Sequence, residues 1–207
     1  MRTNVYIDGF NLYYRRLKGT PYKWLDLGRL FSLVLRDHEV HRIRYFTALV
    51  DARPDDPRQP ERQQVYLRAL RTIPNLTVHL GHFRSGRTVL PLADPPQDGP
   101  RYAEVLRTSE KGSDVNLATC LLIDAFEGDF EQAVVISNDS DLAGPIGAVR
   151  DRIGLAVGVL DPADRASQQL LAVSTFYRRL RVGPISASQF PTVLRDGQGE
   201  FRRPPTW

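Results

Sequence analysis

The chain has 207 residues, 42% hydrophobic and 25% charged, with a formal net charge of +4. That length suits one domain with a small appendage, long enough to bury a core without covalent staples. Its single cysteine, Cys120, excludes an internal disulfide and reads as a core thiol. No apolar run approaches the roughly 18 residues of a membrane span, and no signal peptide precedes the first strand-like stretch, so a cytoplasmic protein is expected. The basic excess permits nucleic-acid binding without demonstrating it.

Thr3 to Asp8 reads as a short strand, and Asn11 to Lys18 as a short helix. Leu25 to Arg36 has helical spacing, with Leu27, Leu30, Phe31 and Val34 on one face. Val40 to Val50 is strand-like. Arg53 to Pro60 is a Pro/Asp/Arg loop, Glu61 to Thr72 a helix and Leu76 to Phe83 the next strand. Arg84 to Pro100, rich in Gly and Pro, reads as an inserted, partly mobile excursion, followed by an extended piece from Arg101 to Thr108. Ser113 to Phe126 is the clearest helix, with Ser113 as its N-cap, Ala118, Leu121, Leu122 and Ala125 as its apolar stripe, and Gly128 as its stop. Gln132 to Ser137 is a continuous apolar strand of the kind covered on both faces. Leu142 to Arg152 reads as a helix, Leu155 to Leu160 as a buried strand and Ala166 to Val173 as a last core helix. The tail from Arg195 lacks periodicity and is expected to be loose. Strands alternating with helices predict an α/β sandwich with a largely parallel sheet: one domain over residues 1–180, an insertion about 84–100, and a partly flexible extension over 181–207.

In such sheets ligands bind outside the carboxyl ends of the strands. Asp8 ends the first strand, Asp139 and Asp141 follow Gln132 to Ser137, and Asp114 opens the helix whose N-terminus points to the same edge. Each alone could be a turn, cap or helix-dipole residue. Together they crowd like charges on one rim, a cost that a divalent cation removes, and hard oxygen donors select Mg²⁺ or Mn²⁺. His38, His41, His79 and His82 are scattered, with no ligand-like spacing. Asn11, Ser137 and Asn138 offer small polar groups near the acids. Lys111 stands beside a helix N-terminus that favours anions, and Glu110 is an outer carboxylate or a solvated charge.

The blocks YIDGFNLYY, SEKGSDVNLATCLLIDAF and VVISNDSDLAGPI, in that order from Asn4 to Leu160, resemble the signature blocks of NYN domains, part of the PIN-like nuclease group. The resemblance implies a PIN-like three-layer sandwich with a central, mostly parallel sheet, Mg²⁺ or Mn²⁺ dependence, and RNA cleavage. It implies Asp8, Asp114, Asp139 and Asp141 as catalytic and metal-site positions, with Asn11, Lys111, Ser137 and Asn138 as polar supports. Arg15, Arg16, Lys18 and Lys23, interleaved with Tyr13, Tyr14, Tyr22 and Trp24, suit single-stranded RNA, or are in part simply packing residues. Arg84, Arg87, Arg101 and Arg107 would form a second wall. By analogy with PIN-like domains a homodimer is expected. The alternatives are a non-catalytic RNA- or protein-binding domain of the same fold, or a nuclease toxin of a toxin–antitoxin pair. A dehalogenase-like phosphatase is disfavoured, because Tyr6 and Phe10 stand where its second strand-end acid would be.

Overall fold

The computed structural model describes all 207 residues. Its seven-stranded sheet is built from β1 (Arg2–Asp8), β2 (Glu39–Ala48), β3 (Leu76–Pro91), β4 (Tyr102–Lys111), β5 (Gln132–Ile136), β6 (Ala156–Asp161) and β7 (Phe176–Arg179). The spatial order is β4-β3-β2-β1-β5-β6-β7, and every pair is parallel except β3–β4. Helices α1 (Gly9–Leu12), α2 (Leu27–Val34), α3 (Gln59–Leu70), α4 (Ser113–Phe126), α5 (Ala143–Ala148), α6 (Gln168–Val173) and α7 (Val182–Ala187) accompany it. This is a PIN-like three-layer architecture.

Period-two alternation divides the apolar residues between the sheet's two faces. Val5, Ile7, Val134 and Ile136 join α2 and α3 in a 25-residue cluster, with Trp24, Leu30, Phe31 and Leu67 at its centre. Tyr6, Ala133 and Val135 point the other way, into a 14-residue cluster with Leu117 and Leu121 of α4 and Ile146 of α5. Both faces of the central strands are therefore dry, which is why β5 is uniformly apolar. Cys120 is half-buried against the smaller cluster.

The structure departs from the sequence expectations at several points. Arg84 to Pro91 is no loop. It continues β3 far beyond the parallel sheet and pairs antiparallel with β4, from His82↔Lys111 to Pro91↔Tyr102. The excursion is thus a two-stranded arm whose loop proper is only Leu92 to Arg101. The cap position of α4 is Gly112, at φ 99°, where a side chain would be strained. Ser113 is the first helical residue, and its N–H donates to Glu110 Oε1 at 3.0 Å. The segment after β5 is a 3₁₀ turn (Ser140–Leu142), then α5, then a π-helical turn (Val149–Ile153).

The tail is not loose. Strands β8 (Val193–Asp196) and β9 (Gly199–Arg202) form a hairpin that lies on α3. Arg68 grips both Asp196 oxygens at 2.7 Å and covers the Phe201 ring at 4.2 Å, and Trp207 packs 5.3 Å from Tyr66. The hairpin is too short for periodicity to reveal it, and its anchors lie more than a hundred residues away in sequence. Phe201 is buried in the larger cluster. Phe201→Ala should therefore destabilise the whole domain by about 3 kcal/mol in chemical unfolding; a flexible tail would show no change.

Candidate active site at the switch point of the sheet

Strand order reverses between β1 and β5, and their parallel register, Ile7↔Ile136, brings Asp8 and Ser137 out of the sheet side by side. Gly9 is required at the exit, because a Cβ there would meet the Tyr45 ring at 2.6 Å and the Phe46 carbonyl at 2.8 Å. The chain can then turn at once into α1, with Asp8 as its cap.

Asp8 is buried, and both its oxygens are engaged. Oδ1 accepts the Asn11 N–H at 2.9 Å, and Oδ2 accepts the Ser137 hydroxyl at 3.0 Å. Burial, reinforced by the Asp114 and Asp139 charges, pushes its pKa up to about 6 despite those two bonds. Asp114, in the first turn of α4, is also raised, by burial and then by Asp139, Glu110 and Asp141. Asp139 caps the 3₁₀ turn, taking the Asp141 N–H on Oδ1 at 3.0 Å, while its own N–H donates to Ser137 Oγ at 3.0 Å. Asp8, Asp114, Asp139 and Glu110 all border one cavity of about 690 Å³. Asp141 is exposed beside it and contributes charge without lining it.

The polar supports fall into two groups. Asn11 lines the cavity, and its Oδ1 accepts the Asn138 N–H at 3.0 Å, tying the β1 exit to the β5 exit. Ser137 faces Asp8. The Asn138 side chain turns away from the acids, donating to Asp161 Oδ2 at 2.9 Å and to the Arg165 carbonyl at 3.2 Å. Lys111 is exposed at the root of the arm, opposite His82, and does not line the cavity. Arg15 lines it. Arg16 does not: its side chain is 9% exposed and is spent on the Asp164 carboxylate at 3.3 Å and the Ala163 carbonyl at 3.2 Å. Of the interleaved aromatics, Trp24 is wholly buried, donating to the Pro191 carbonyl at 2.8 Å, and Tyr13 and Tyr22 pack against the larger cluster. Only Tyr14 stands exposed at the cavity, with Lys18 over its ring at 5.0 Å.

The arginine wall does not form. Alternation along the arm puts Phe83, Ser85, Leu106, Thr108 and Glu110 toward the cavity, so Arg84 and Arg107 project from the opposite face. Arg87 shares the side of Phe83 and Ser85, opposite Leu106, but stands beside Glu104 at 3.6 Å and does not line the cavity. None of the four histidines borders the cavity.

Asp161 is a residue that the sequence reading passed over. It ends β6 as Asp8 ends β1, is 1% exposed, and receives the Asn138 amide, the Tyr177 hydroxyl and the Ala163 N–H. A hydrogen-bonded path thus runs from Tyr177 through Asp161, Asn138 and Asn11 to Asp8. Its position at a strand end was the available signal.

The donor set is all carboxylate, which suits a hard divalent cation. No three His, Cys, Asp or Glu side chains, here or elsewhere, stand close enough to hold one ion together. That spacing excludes a closed protein cage. Any ion at this rim would have to be held by about one or two carboxylates and otherwise by water.

The NYN domain family matches residues 2–178 of the chain. A Pseudomonas putida protein named 6-hydroxy-3-succinoylpyridine 3-monooxygenase HspA is 32% identical over 238 aligned positions, spanning 100% of this chain and 75% of that protein. The crystal structure of a Vibrio parahaemolyticus protein of unknown function superposes with a TM-score of 0.57 at 16% identity, over 87% of this chain and 93% of that one. The likeness to the last concerns fold alone.

The raised Asp8 pKa has a consequence for stability. The folded state holds this proton more tightly than the unfolded chain, so Asp8 favours folding below an ordinary carboxylate pKa, and that advantage is lost as pH rises through about 6. In EDTA, Asp8→Asn should therefore be more stable than the native chain at pH 8, by something on the order of 2 kcal/mol. The gap should close below about pH 4. Urea unfolding at both pH values measures this; a variant less stable than the native chain at pH 8 would contradict it.

Proposed function

The chain belongs to the NYN domain family, and from that premise we propose that it is a metal-dependent ribonuclease cleaving single-stranded RNA at the carboxylate rim. The observation that carries this reading is the convergence of Asp8, Asp114 and Asp139 on one open cavity at the switch point, with two of the three held above ordinary carboxylate pKa values by burial and by the neighbouring carboxylates. Asp8 and Asp139 would hold a Mg²⁺ or Mn²⁺ ion, with Asp114 and Asp141 completing its water-mediated surroundings. Such an ion supplies charge neutralisation at the phosphodiester and lowers the pKa of a bound water.

The protein's own groups do the rest. Asn11 and Ser137 hold Asp8 in one rotamer through its two oxygens, and the Asp139 N–H to Ser137 bond sets the spacing of the second acid. The Asp114 carboxylate, raised in pKa by burial, would accept the proton of an attacking water. In-line attack on phosphorus would form the new P–O bond and break P–O3′, with the departing O3′ taking a proton from solvent, to leave a 5′-phosphate and a 3′-hydroxyl.

A second reading is favoured by one finding, the alignment of the whole chain with a protein whose name describes a monooxygenase acting on 6-hydroxy-3-succinoylpyridine. On that reading the cavity takes a free hydroxypyridine, and the reaction consumes dioxygen and a reductant. Dioxygen uptake driven by a hydroxypyridine acid, in the absence of any RNA cleavage, would establish it.

The primary test uses end-labelled single-stranded RNA with Mn²⁺, Mg²⁺ or EDTA. Cleavage is expected with either metal, with 5′-phosphate products, and should be abolished by EDTA. Asp139→Asn and Asp8→Asn are expected to lose activity by at least roughly a hundredfold, in line with removing a group that stabilises the transition state. Circular dichroism of both variants should match the native chain. Metal-independent cleavage, or native rates in Asp8→Asn, would sink the assignment.

A further inference from the structure

Hydrolysis at the acid floor uses only one side of the cavity. Another side is aromatic. Phe10, the second residue after Asp8, packs edge-on against Phe83 of the arm at 5.7 Å and 70°, and lies stacked with Tyr14 at 6.4 Å and 24°. All three rings line the cavity, and they hold one another in place across two separate elements. A preformed aromatic face of this kind binds flat rings with little loss of side-chain freedom. At the rim, Arg15 and Arg53 also line the cavity, and neither is ion-paired with any Asp or Glu. Carboxylates, Asp51 beside Arg53 among them, aromatic rings and two guanidiniums free of ion pairs thus line one space.

We propose that the wall of Phe10, Tyr14 and Phe83 is a binding site for one flat heteroaromatic ring bearing an anionic group, with the ring against Phe10 and the anion toward Arg15 and Arg53. The volume, about 690 Å³, is that of a small-ligand pocket. It admits a single nucleotide unit or a substituted heterocyclic acid. It does not admit a base still stacked in a duplex, whose faces are covered by its neighbours. The site rests on reading this cavity as the substrate site, but not on which bond is broken. Two sources share the chemistry: an unstacked nucleotide of single-stranded RNA, and a free heteroaromatic acid.

Calorimetric titration of the full chain in Mg²⁺ buffer separates them, with three probes: adenosine 5′-monophosphate, 6-hydroxypyridine-3-carboxylate and ribose 5-phosphate. None contains a phosphodiester. At least one aromatic probe should bind tenfold or more tightly than ribose 5-phosphate. Phe10→Leu should weaken that binding by roughly tenfold, the scale of one lost stacking partner, and Phe10→Tyr should restore it. Phe83→Leu, on a different element, gives an independent second measure, and Arg15→Gln should weaken binding of the aromatic anion. Tighter binding of the nucleotide assigns the site to nucleic acid; tighter binding of the pyridine acid assigns it to a free small molecule. Ribose 5-phosphate binding as tightly as both aromatic probes, no aromatic binding at all, or native affinity in Phe10→Leu and Phe83→Leu would overturn the proposal. Ring binding without RNA cleavage would remove the nuclease reading and leave this site standing. Metal-dependent cleavage at the native rate in Phe10→Leu would do the reverse.

Discussion

Asp8 is held where a carboxylate is least at ease: at the end of the central strand, buried, and within the field of Asp114 and Asp139. The sheet imposes this placement. Parallel pairing of β1 with β5 makes the two chains leave the sheet together at the same edge, and the antiparallel return of β4 along the arm starts α4, and with it Asp114, at that edge as well. The two hydrogen bonds to Asp8 do not offset its burial. The surrounding structure has to be rigid enough to carry that cost, and the two dry clusters on either face of β1 and β5 provide the rigidity.

The contrast with Asp124 shows what the rim lacks. Asp124 of α4 is just as buried, but it receives two bonds from Arg44 at 2.7 Å and the Tyr6 hydroxyl at 2.7 Å. It is a charge fully answered inside the fold. Asp8 has neutral donors only, and no cation of the chain reaches it. One buried acid is structural and the other is left open to something from outside.

Much of this was legible in the sequence, for a physical reason. Strands buried on both faces are continuous apolar runs, and their ends can be read to within a residue or two, so Asp8, Asp139 and the start of α4 could be set on one edge before any coordinates. Contacts that span the chain could not. Arg16 looks like a free cation until Asp164 and Ala163 appear beside it, roughly 150 residues on. Trp24 looks like a stacking platform until Phe190 and Pro191, far along the chain, cover it. The arm was hidden because its strands are polar and interrupted by Gly86, and because they pair only with each other, which leaves no core-facing pattern to detect. Asp161 carries no motif, and its link to Asp8 exists only through Asn138 and Asn11.

The arm has a consequence for how such a domain diversifies. Beyond His82 its strands pair only with each other and its base is fastened by Phe83 against Phe10, yet it contributes Phe83, Ser85, Leu106 and Thr108 to the cavity. Insertions, deletions and exchanges there alter what the cavity accommodates without disturbing the β1–β5 junction or the carboxylates mounted on it. Part of the cavity's lining is therefore carried on a piece of chain separate from the strand ends that mount the carboxylates. A lineage built on this plan can retain its acidic floor while its members come to handle chemically unrelated molecules.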